Sequence, residues 1–207
     1  MSTYISGGCK NGKSFYAQRA AKACGTPLYY LATMIPHDEE DLARIRRHRE
    51  ERAGWGFETL ECGRDILRCL DDADPNGAFL LDSVTALLSN EMFAPEGVDM
   101  DAARRVADAL EAFVRRAPNT VLVSDFIFSD ALLYDDLTEA YRRGLAAIDR
   151  RMAACCDNVI EVVAGQFIVH KGVLPVCSDF GTPFACATAC SPPCPAPGAP
   201  GTRMPGT

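Results

Sequence analysis

The chain of 207 residues carries 28 acidic and 21 basic side chains, which give a formal net charge of −7. This acidic balance argues against binding to the phosphate backbone of nucleic acids, so no nucleic-acid partner is expected. Because 48% of the residues are hydrophobic and 24% are charged, we expect a folded domain with a core rather than a disordered chain.

Strand-like and helix-like stretches alternate along residues 1–172. Strands are predicted at residues 3–6, 28–32, 57–60, 78–82 and 120–124, and a terminal hairpin at 159–163 and 167–169. Helices are predicted at residues 13–24, 38–52, 83–90, 100–116 and 137–156. Apolar strands that alternate with helices indicate an α/β domain with a mostly parallel sheet, helices on both faces and a C-terminal hairpin.

The composition changes between residues 1–172 and residues 173–207. The last 35 residues contain eight prolines, four glycines and four cysteines. Such a segment cannot bury enough apolar surface to offset its chain entropy, which predicts an irregular tail. The alternative is a zinc site built from its four cysteines, Cys177, Cys186, Cys190 and Cys194. Their spacing, C-x8-C-x3-C-x3-C, lacks the close pairs that are typical of structural zinc sites, so we favour the tail.

Six of the ten cysteines lie in residues 1–172 without metal-ligand spacing. The chain start, Met1-Ser2-Thr3-Tyr4, lacks the basic start and apolar core of a signal peptide. No apolar run approaches the roughly 20 residues that a membrane span needs. A cytoplasmic location is therefore expected, where thiols stay reduced, and we expect most of these cysteines to be small buried apolar side chains rather than a disulfide framework.

Residues 7–14 match the phosphate-binding pattern G-x-x-x-x-G-K-[ST] in full, between a predicted strand and a predicted helix. They are Gly7, Gly8, Cys9, Lys10, Asn11, Gly12, Lys13 and Ser14. Glycines let backbone N–H groups curl around phosphate oxygens, and the helix N-terminus adds partial positive charge. Lys13 can reach the β- and γ-phosphates, and the Ser14 hydroxyl can ligate Mg²⁺. The pattern predicts a nucleoside triphosphate site, a P-loop, with Lys13 as a catalytic residue.

A second carboxylate is expected beside a P-loop, and Asp82, at the end of the predicted strand 78–82, is the candidate. A carboxylate at a strand end can hold Mg²⁺ directly or through water, so Ser14 and Asp82 are the predicted metal ligands. The alternative for Asp82 is an N-cap of the next predicted helix, and the two roles are compatible.

The predicted helix at residues 38–52 has acids at its start and bases in its later part, as the helix dipole favours. A solvated, salt-bridged helix explains most of its side chains. His48 lies among four arginines, Arg46, Arg47, Arg49 and Arg52. Their charges would disfavour protonation of the imidazole and attract polyphosphate, which makes His48 a candidate nucleophile.

Several short motifs follow the P-loop in a fixed order. They are Y-L-A-T at residues 30–33, D-E-E at 38–40, R-I-x-x-H-R at 44–49, T-x-E at 59–61, L-L-D-S-V-T at 80–85, L-S-N at 88–90, V-L-V-S at 121–124 and V-V-A-G at 162–165. Together they resemble the bifunctional adenosylcobinamide kinase and adenosylcobinamide-phosphate guanylyltransferase family of cobalamin biosynthesis, over about residues 3–172. The P-loop alone is unspecific, and its combination with R-I-x-x-H-R makes the resemblance specific.

The resemblance implies two reactions at one site, in a RecA-like P-loop fold and a homotrimer. A nucleoside triphosphate phosphorylates the aminopropanol hydroxyl of adenosylcobinamide, and GTP then transfers GMP to a histidine with release of pyrophosphate. The GMP passes on to adenosylcobinamide phosphate and gives adenosylcobinamide-GDP. GTP and ATP would be the nucleotide substrates, Mg²⁺ the cofactor and the corrinoid adenosylcobinamide the acceptor.

The match also implies roles for single residues. His48 would be the histidine that carries GMP, while Lys13, Mg²⁺ and the arginines would stabilise charge on the phosphoryl group. The positions that fall where the family contacts GTP, besides the P-loop, are Ala32, Thr33, Met34, Arg49, Glu50, Glu51, Arg52, Glu61 and Asp82.

Two segments depart from the family pattern. Residues 125–128 read D-F-I-F where the family has N-E-V-G, and residues 146–149 read A-A-I-D where the family has G-R-x-N. These changes remove polar groups that could serve the corrinoid or the kinase step, so the guanylyltransferase half is better supported. Two alternatives stay open: a P-loop small-molecule kinase in which His48 is dispensable, and a nucleotide-sensing module without catalysis.

Overall fold

A computed structural model of the chain describes residues 1–36, 38–128 and 130–175. Within these ranges the strands are Thr3–Gly7 (β1), Leu28–Ala32 (β2), Phe57–Glu61 (β3), Ala78–Asp82 (β4), Phe93–Ala94 (β5), Gly97–Val98 (β6), Thr120–Asp125 (β7), Asn158–Val163 (β8) and Gln166–Lys171 (β9). The α-helices are Lys13–Cys24 (α1), Glu39–Glu51 (α2), Val84–Met92 (α3), Ala102–Arg116 (α4) and Asp136–Cys155 (α5). Every predicted strand and helix is confirmed, with ends that agree to within two residues.

Seven strands form one sheet in the order β3-β2-β4-β7-β1-β8-β9. The first six run parallel to their neighbours, and β9 returns antiparallel to β8. The P-loop strand β1 lies between β7 and β8. The six parallel strands therefore end at one edge of the sheet, which is where open α/β sheets bind their ligands. The predicted α/β fold, a mostly parallel sheet with helices on both faces and a C-terminal hairpin, is confirmed.

Alternate side chains of the central strands enter two cores, one on each face of the sheet. In β4, Phe79 and Leu81 pack with side chains of α3, α4 and α5, whereas Ala78 and Leu80 pack with side chains of α1. The period of two along a strand explains why residues 78–81 of β4 are all apolar, since both faces of the strand are covered. None of the described helices is long and apolar enough to cross a membrane.

Two short elements lie outside the predictions. Ile66–Leu70 forms a 3₁₀ helix, and β5 pairs with β6 in a separate antiparallel ribbon. Strands of two residues and a single turn of helix are too short for hydrophobic periodicity to indicate them.

The expectation of reduced cysteines is wrong for one pair. Cys62, directly after β3, and Cys69, in the 3₁₀ helix, are both buried and form a disulfide. The 3₁₀ helix folds the chain back so that their Cα atoms are 6.7 Å apart, within the range that disulfides span. Among the free cysteines in the described ranges, Cys156 is buried as expected, whereas Cys9 in the P-loop is exposed.

The described chain ends at residue 175, shortly after β9. The Val173 N–H donates to the Asn158 side chain at 2.9 Å, and Leu174 packs against the core on the α1 side. Most of the predicted tail, including Cys177, Cys186, Cys190 and Cys194 of the alternative zinc site, lies outside the described residues. The division of the chain at residue 172 stays a prediction.

Candidate active site

The P-loop connects β1 to α1 and is closed by the side chain of Asn11. The Asn11 amide donates to the carbonyl of Val162, at the end of β8, and its Oδ1 accepts from the Lys13 backbone N–H at 3.2 Å. A Cβ on Gly7 would come within 2.5 Å of the Val162 carbonyl oxygen, so only glycine fits there. The chain therefore enters α1 in a fixed conformation, at a helix N-terminus of the kind that binds phosphate.

The Lys13 side chain forms an ion pair with Asp125. Its Nζ lies 2.6 Å from Asp125 Oδ1 and also donates to the Gly8 carbonyl at 3.1 Å. The Lys13 side chain is 8% exposed and that of Asp125 is 21% exposed, so the pair is largely shielded from water. Parallel pairing of β1 with β7 sets Gly7 opposite Asp125, which explains how this acid reaches the P-loop.

Asp82 ends β4 at the same edge of the sheet. The Ser14 hydroxyl donates a hydrogen bond to its carboxylate. Burial raises the pKa of Asp82 above its ordinary range and outweighs the hydrogen bond from Ser14 and the electrostatic interactions with His48 and Lys13, which lower it. The nearby Asp125 carboxylate raises this pKa further. The structure thus brings the two predicted metal ligands, Ser14 and Asp82, together.

The segment after β2 fixes the backbone beside Asp82. The fully buried Thr33 hydroxyl donates to the Ser83 carbonyl at 2.9 Å and accepts from the Ser83 N–H at 2.8 Å. The Asn90 amide donates to the Thr33 carbonyl at 2.7 Å. The Thr33 side chain therefore holds the end of β4. Thr33 would contact a nucleotide through its backbone atoms. Its neighbours Ala32 and Met34 are both partly buried.

Helix α2 is attached to the sheet through charged side chains near its C-terminus. The Arg52 guanidinium lies 3.4 Å from the centre of the Tyr30 ring in β2, and Arg52 is buried. Arg49 forms an ion pair of 2.7 Å with Glu61 at the end of β3. These two contacts join Arg49 to β3, through its last residue Glu61, and Arg52 to β2. Both strands end at the sheet edge that carries the P-loop, so three predicted nucleotide-binding residues lie on this side of the sheet.

His48 is partly buried and interacts electrostatically with Asp82. Arg52 follows four positions later, so the two side chains share one face of the helix. The predicted candidate Glu50 is exposed on α2. The side chain of Glu51, also in the predicted set, lies outside the described residues.

Residues 3–169 match the family model of CobU, described as cobinamide kinase / cobinamide phosphate guanyltransferase. The chain belongs to the CobU family. It is 32% identical over 178 residues to the bifunctional adenosylcobalamin biosynthesis protein CobU of Salmonella typhimurium, which covers 80% of this chain and 97% of the relative. It is 29% identical over 174 residues to the bifunctional adenosylcobalamin biosynthesis protein CobP of Pseudomonas aeruginosa, which covers 83% of this chain and 98% of the relative.

Among solved structures, this CobU-family chain is similar to the RadB recombinase, with a TM-score of 0.47 and 16% identity. The match covers 83% of this chain and 81% of the recombinase, and it is too weak to bear on function.

The donor set of this CobU-family site fits Mg²⁺ that arrives with a nucleotide. Ser14 and Asp82 supply a hydroxyl and a carboxylate oxygen, the hard ligands that Mg²⁺ prefers. In the described part of the chain, no group of three or more His, Cys, Asp or Glu side chains could hold a metal ion by itself. Two protein oxygens are sufficient beside a nucleotide, because phosphates and water complete the octahedron.

Asp125 is the site residue that the sequence analysis missed, since it was treated only as part of a departure from the family pattern. The signal was present, because Asp125 directly follows the buried strand 120–124, just as Asp82 follows residues 79–81. The pairing of β7 with β1 rather than with β2, which places Asp125 beside Lys13, is set by the topology of the sheet.

Proposed function

We propose that this CobU-family chain phosphorylates adenosylcobinamide and then transfers GMP from GTP, through a guanylyl group on His48, to adenosylcobinamide phosphate. The product is adenosylcobinamide-GDP. The observation that carries the proposal is the electrostatic interaction of His48 with Asp82, which ends β4 at the sheet edge that carries the P-loop. The description of the family, cobinamide kinase / cobinamide phosphate guanyltransferase, supports both halves of the reaction, and the CobU and CobP relatives are named bifunctional.

The chemistry of the GMP transfer follows from this arrangement. The P-loop amides and Lys13 would hold the β- and γ-phosphates, which leave as pyrophosphate. A ring nitrogen of His48 would attack the α-phosphorus and form an N–P bond as the bond to the pyrophosphate oxygen breaks. Bound Mg²⁺, held by Ser14 and Asp82, would neutralise phosphate charge. Arg49 and Arg52, from the same helix turn as His48, would add positive charge around the phosphoryl group.

Further proposals rest on the resemblance alone. The nucleotide would contact Ala32, Thr33, Met34, Glu50, Glu51 and Glu61 in addition to the residues above. The chain would assemble as a homotrimer, use GTP and ATP, and work in the cytoplasm, where these nucleotides are available. Light scattering of the purified full chain tests the trimer directly.

The test of the proposed function is covalent labelling with GTP that is radioactive at its α-phosphate, in the presence of Mg²⁺. The wild type is compared with His48→Ala and with the control His170→Ala, which removes an exposed histidine that pairs with Glu161 on the terminal hairpin. We expect an acid-labile, alkali-stable label on the wild type and on His170→Ala, and none on His48→Ala. Chasing the label onto adenosylcobinamide phosphate completes the test.

Two results would contradict the proposal. A wild type that binds GTP without becoming labelled would leave a plain P-loop kinase or a nucleotide sensor. Equal labelling of His48→Ala would place the nucleophile elsewhere.

A further inference from the structure

The ion pair between Lys13 and Asp125 puts a carboxylate beside the position of the transferred phosphate. Lys13 is the P-loop residue that reaches the β- and γ-phosphates. Since its Nζ lies 2.6 Å from Asp125 Oδ1, a γ-phosphate that contacts the same ammonium group also has Asp125 as a close neighbour. An alcohol that attacks that phosphorus would approach within reach of this carboxylate.

The Asp125 backbone is held from two sides. Its N–H donates to the Thr85 hydroxyl at 2.9 Å, and the following N–H, of Phe126, donates to the Gly7 carbonyl at 3.0 Å. The Tyr141 hydroxyl donates to the Thr85 carbonyl at 2.8 Å and so links this end of β7 to α5. A carboxylate on so fixed a backbone has a defined position, which proton transfer requires.

The two other carboxylates near Asp125 have different partners. Asp82, from β4, accepts the Ser14 hydroxyl and belongs to the predicted Mg²⁺ ligands. Asp149, from α5, accepts hydrogen bonds from Tyr4 and from Ser124 on two strands of the sheet. Asp125 is therefore the carboxylate that pairs with the P-loop lysine itself.

The segment that directly follows Asp125, residues 126–128, consists of apolar side chains. Phe126 is 42% exposed, and its ring centre lies 4.7 Å from that of Phe128. The buried Arg142 supports the segment, because its Nε donates to the Ile127 carbonyl at 3.4 Å. Such a surface suits the organic body of a bulky alcohol rather than the phosphates of a nucleotide.

We propose that Asp125 is the proton acceptor of the kinase step, an inference that rests on the proposed function. The acceptor hydroxyl gives its proton to the Asp125 carboxylate while its oxygen bonds to the γ-phosphorus. The bond from that phosphorus to the β,γ-bridging oxygen breaks, and the nucleoside diphosphate leaves with that electron pair. Lys13 attracts the γ-phosphate and keeps the carboxylate next to it, and Asp125 later releases the proton to water.

Residues 125–128, which depart from the family pattern, still contain a carboxylate. The family pattern N-E-V-G has its carboxylate at the position of Phe126, and this chain has one at the preceding position instead. The departure therefore moves a carboxylate by one residue and does not delete it. The kinase half of the reaction keeps an acid at this strand end.

The test distinguishes two roles of Asp125, accepting a proton and positioning Lys13. Lys13 takes part in both reactions, whereas an acceptor hydroxyl takes part in the kinase step only. Loss of the proton acceptor should therefore affect the kinase step alone. We compare Asp125→Asn with the wild type and with Asp136→Asn, a control that removes an exposed carboxylate at the start of α5. We expect Asp125→Asn to lower kcat for phosphorylation of adenosylcobinamide about 10²–10⁴-fold, the usual contribution of a general base. Labelling by α-labelled GTP should stay within about threefold of the wild type.

A second variant tests whether a carboxylate at position 126 restores the kinase rate. Asp125→Asn combined with Phe126→Glu restores the N-E order of the family pattern, and we expect it to regain at least part of the lost kinase rate. A residue that only held the backbone in place would not be rescued by a carboxylate one position away.

Three outcomes would overturn the assignment. Equal losses in both reactions would show that Asp125 only places Lys13, and an unchanged kinase rate would show that the carboxylate is dispensable. A wild type that is labelled by GTP but never phosphorylates adenosylcobinamide would leave Asp125 without a kinase step. That last result would leave the proposed role of His48 in GMP transfer intact. A wild type that is not labelled by GTP would contradict the proposed function itself.

Discussion

Asp149 should make the stability of this protein fall as the pH rises from 4 to 6. Burial raises its pKa from 3.8 to about 6, although hydrogen bonds from Tyr4 and Ser124 oppose the shift. In that window the native state keeps the proton that the unfolded chain has lost, so a higher pH favours unfolding. The shift of about 2 pKa units corresponds to roughly 3 kcal/mol of stability that is present below pH 4 and lost above pH 6.

The substitution Asp149→Asn keeps a side-chain oxygen that can accept from Tyr4 and Ser124, and it removes the ionisable group. The assay is urea unfolding of the full chain at several pH values between 4 and 7.5, with Asp136→Asn as the exposed control. We expect the difference in unfolding free energy, variant minus wild type, to grow by about 2–3 kcal/mol across this range. A difference that is constant with pH, or that shrinks as the pH rises, would show that the pKa of Asp149 is not raised in the native state.

Other substitutions test the site geometry. Gly7→Ala should lower the unfolding free energy by about 1–3 kcal/mol, measured in urea, because its methyl group would meet the Val162 carbonyl. Arg52→Ala should slow guanylylation at least about tenfold, measured by labelling with α-labelled GTP, since losing the contact with Tyr30 lets α2 shift. Lys13→Met should lower the rates of both reactions about 10²–10³-fold in steady-state assays, because the ammonium group stabilises charge on the phosphates.

Exposed residues of the same type serve as controls for the last two variants. Arg46→Ala removes an exposed arginine from α2, and Lys22→Met removes an exposed lysine from α1. Losses as large in these controls would mean that the general reduction of positive charge, and not the contact named, weakens the reaction.

The fold was predictable from the sequence because its strongest signals are local. The apolar run at residues 78–81 has to be covered on both faces, and the eight residues of the P-loop identify the strand before them and the helix after them. The start of α2 was equally predictable from the local sequence, since Asp38 accepts the Asp41 N–H as an N-cap, just before a series of charged residues.

The parts of the site that escaped prediction depend on contacts between distant segments. Asp125 reaches Lys13 only because β7 is inserted between β4 and β1. The disulfide between Cys62 and Cys69 requires the short 3₁₀ helix, which has no sequence pattern of its own. The predicted contact of Thr33 with a nucleotide came from the family match, and no local rule indicated that its hydroxyl would be committed to the backbone after β4.

Helix α2 differs from the other helices in how it is held. Each of the other four α-helices in the described ranges has several buried side chains, whereas α2 has none among those described, and Arg52 at its C-cap is its buried anchor. A helix without a buried apolar face can leave and return to the sheet at little cost in hydrophobic contact, so its amides should exchange with solvent earlier than those of the sheet. We therefore expect the helix that carries His48 to move more readily than the P-loop, and such movement would let one phosphate site serve two successive acceptors, an alcohol and an imidazole.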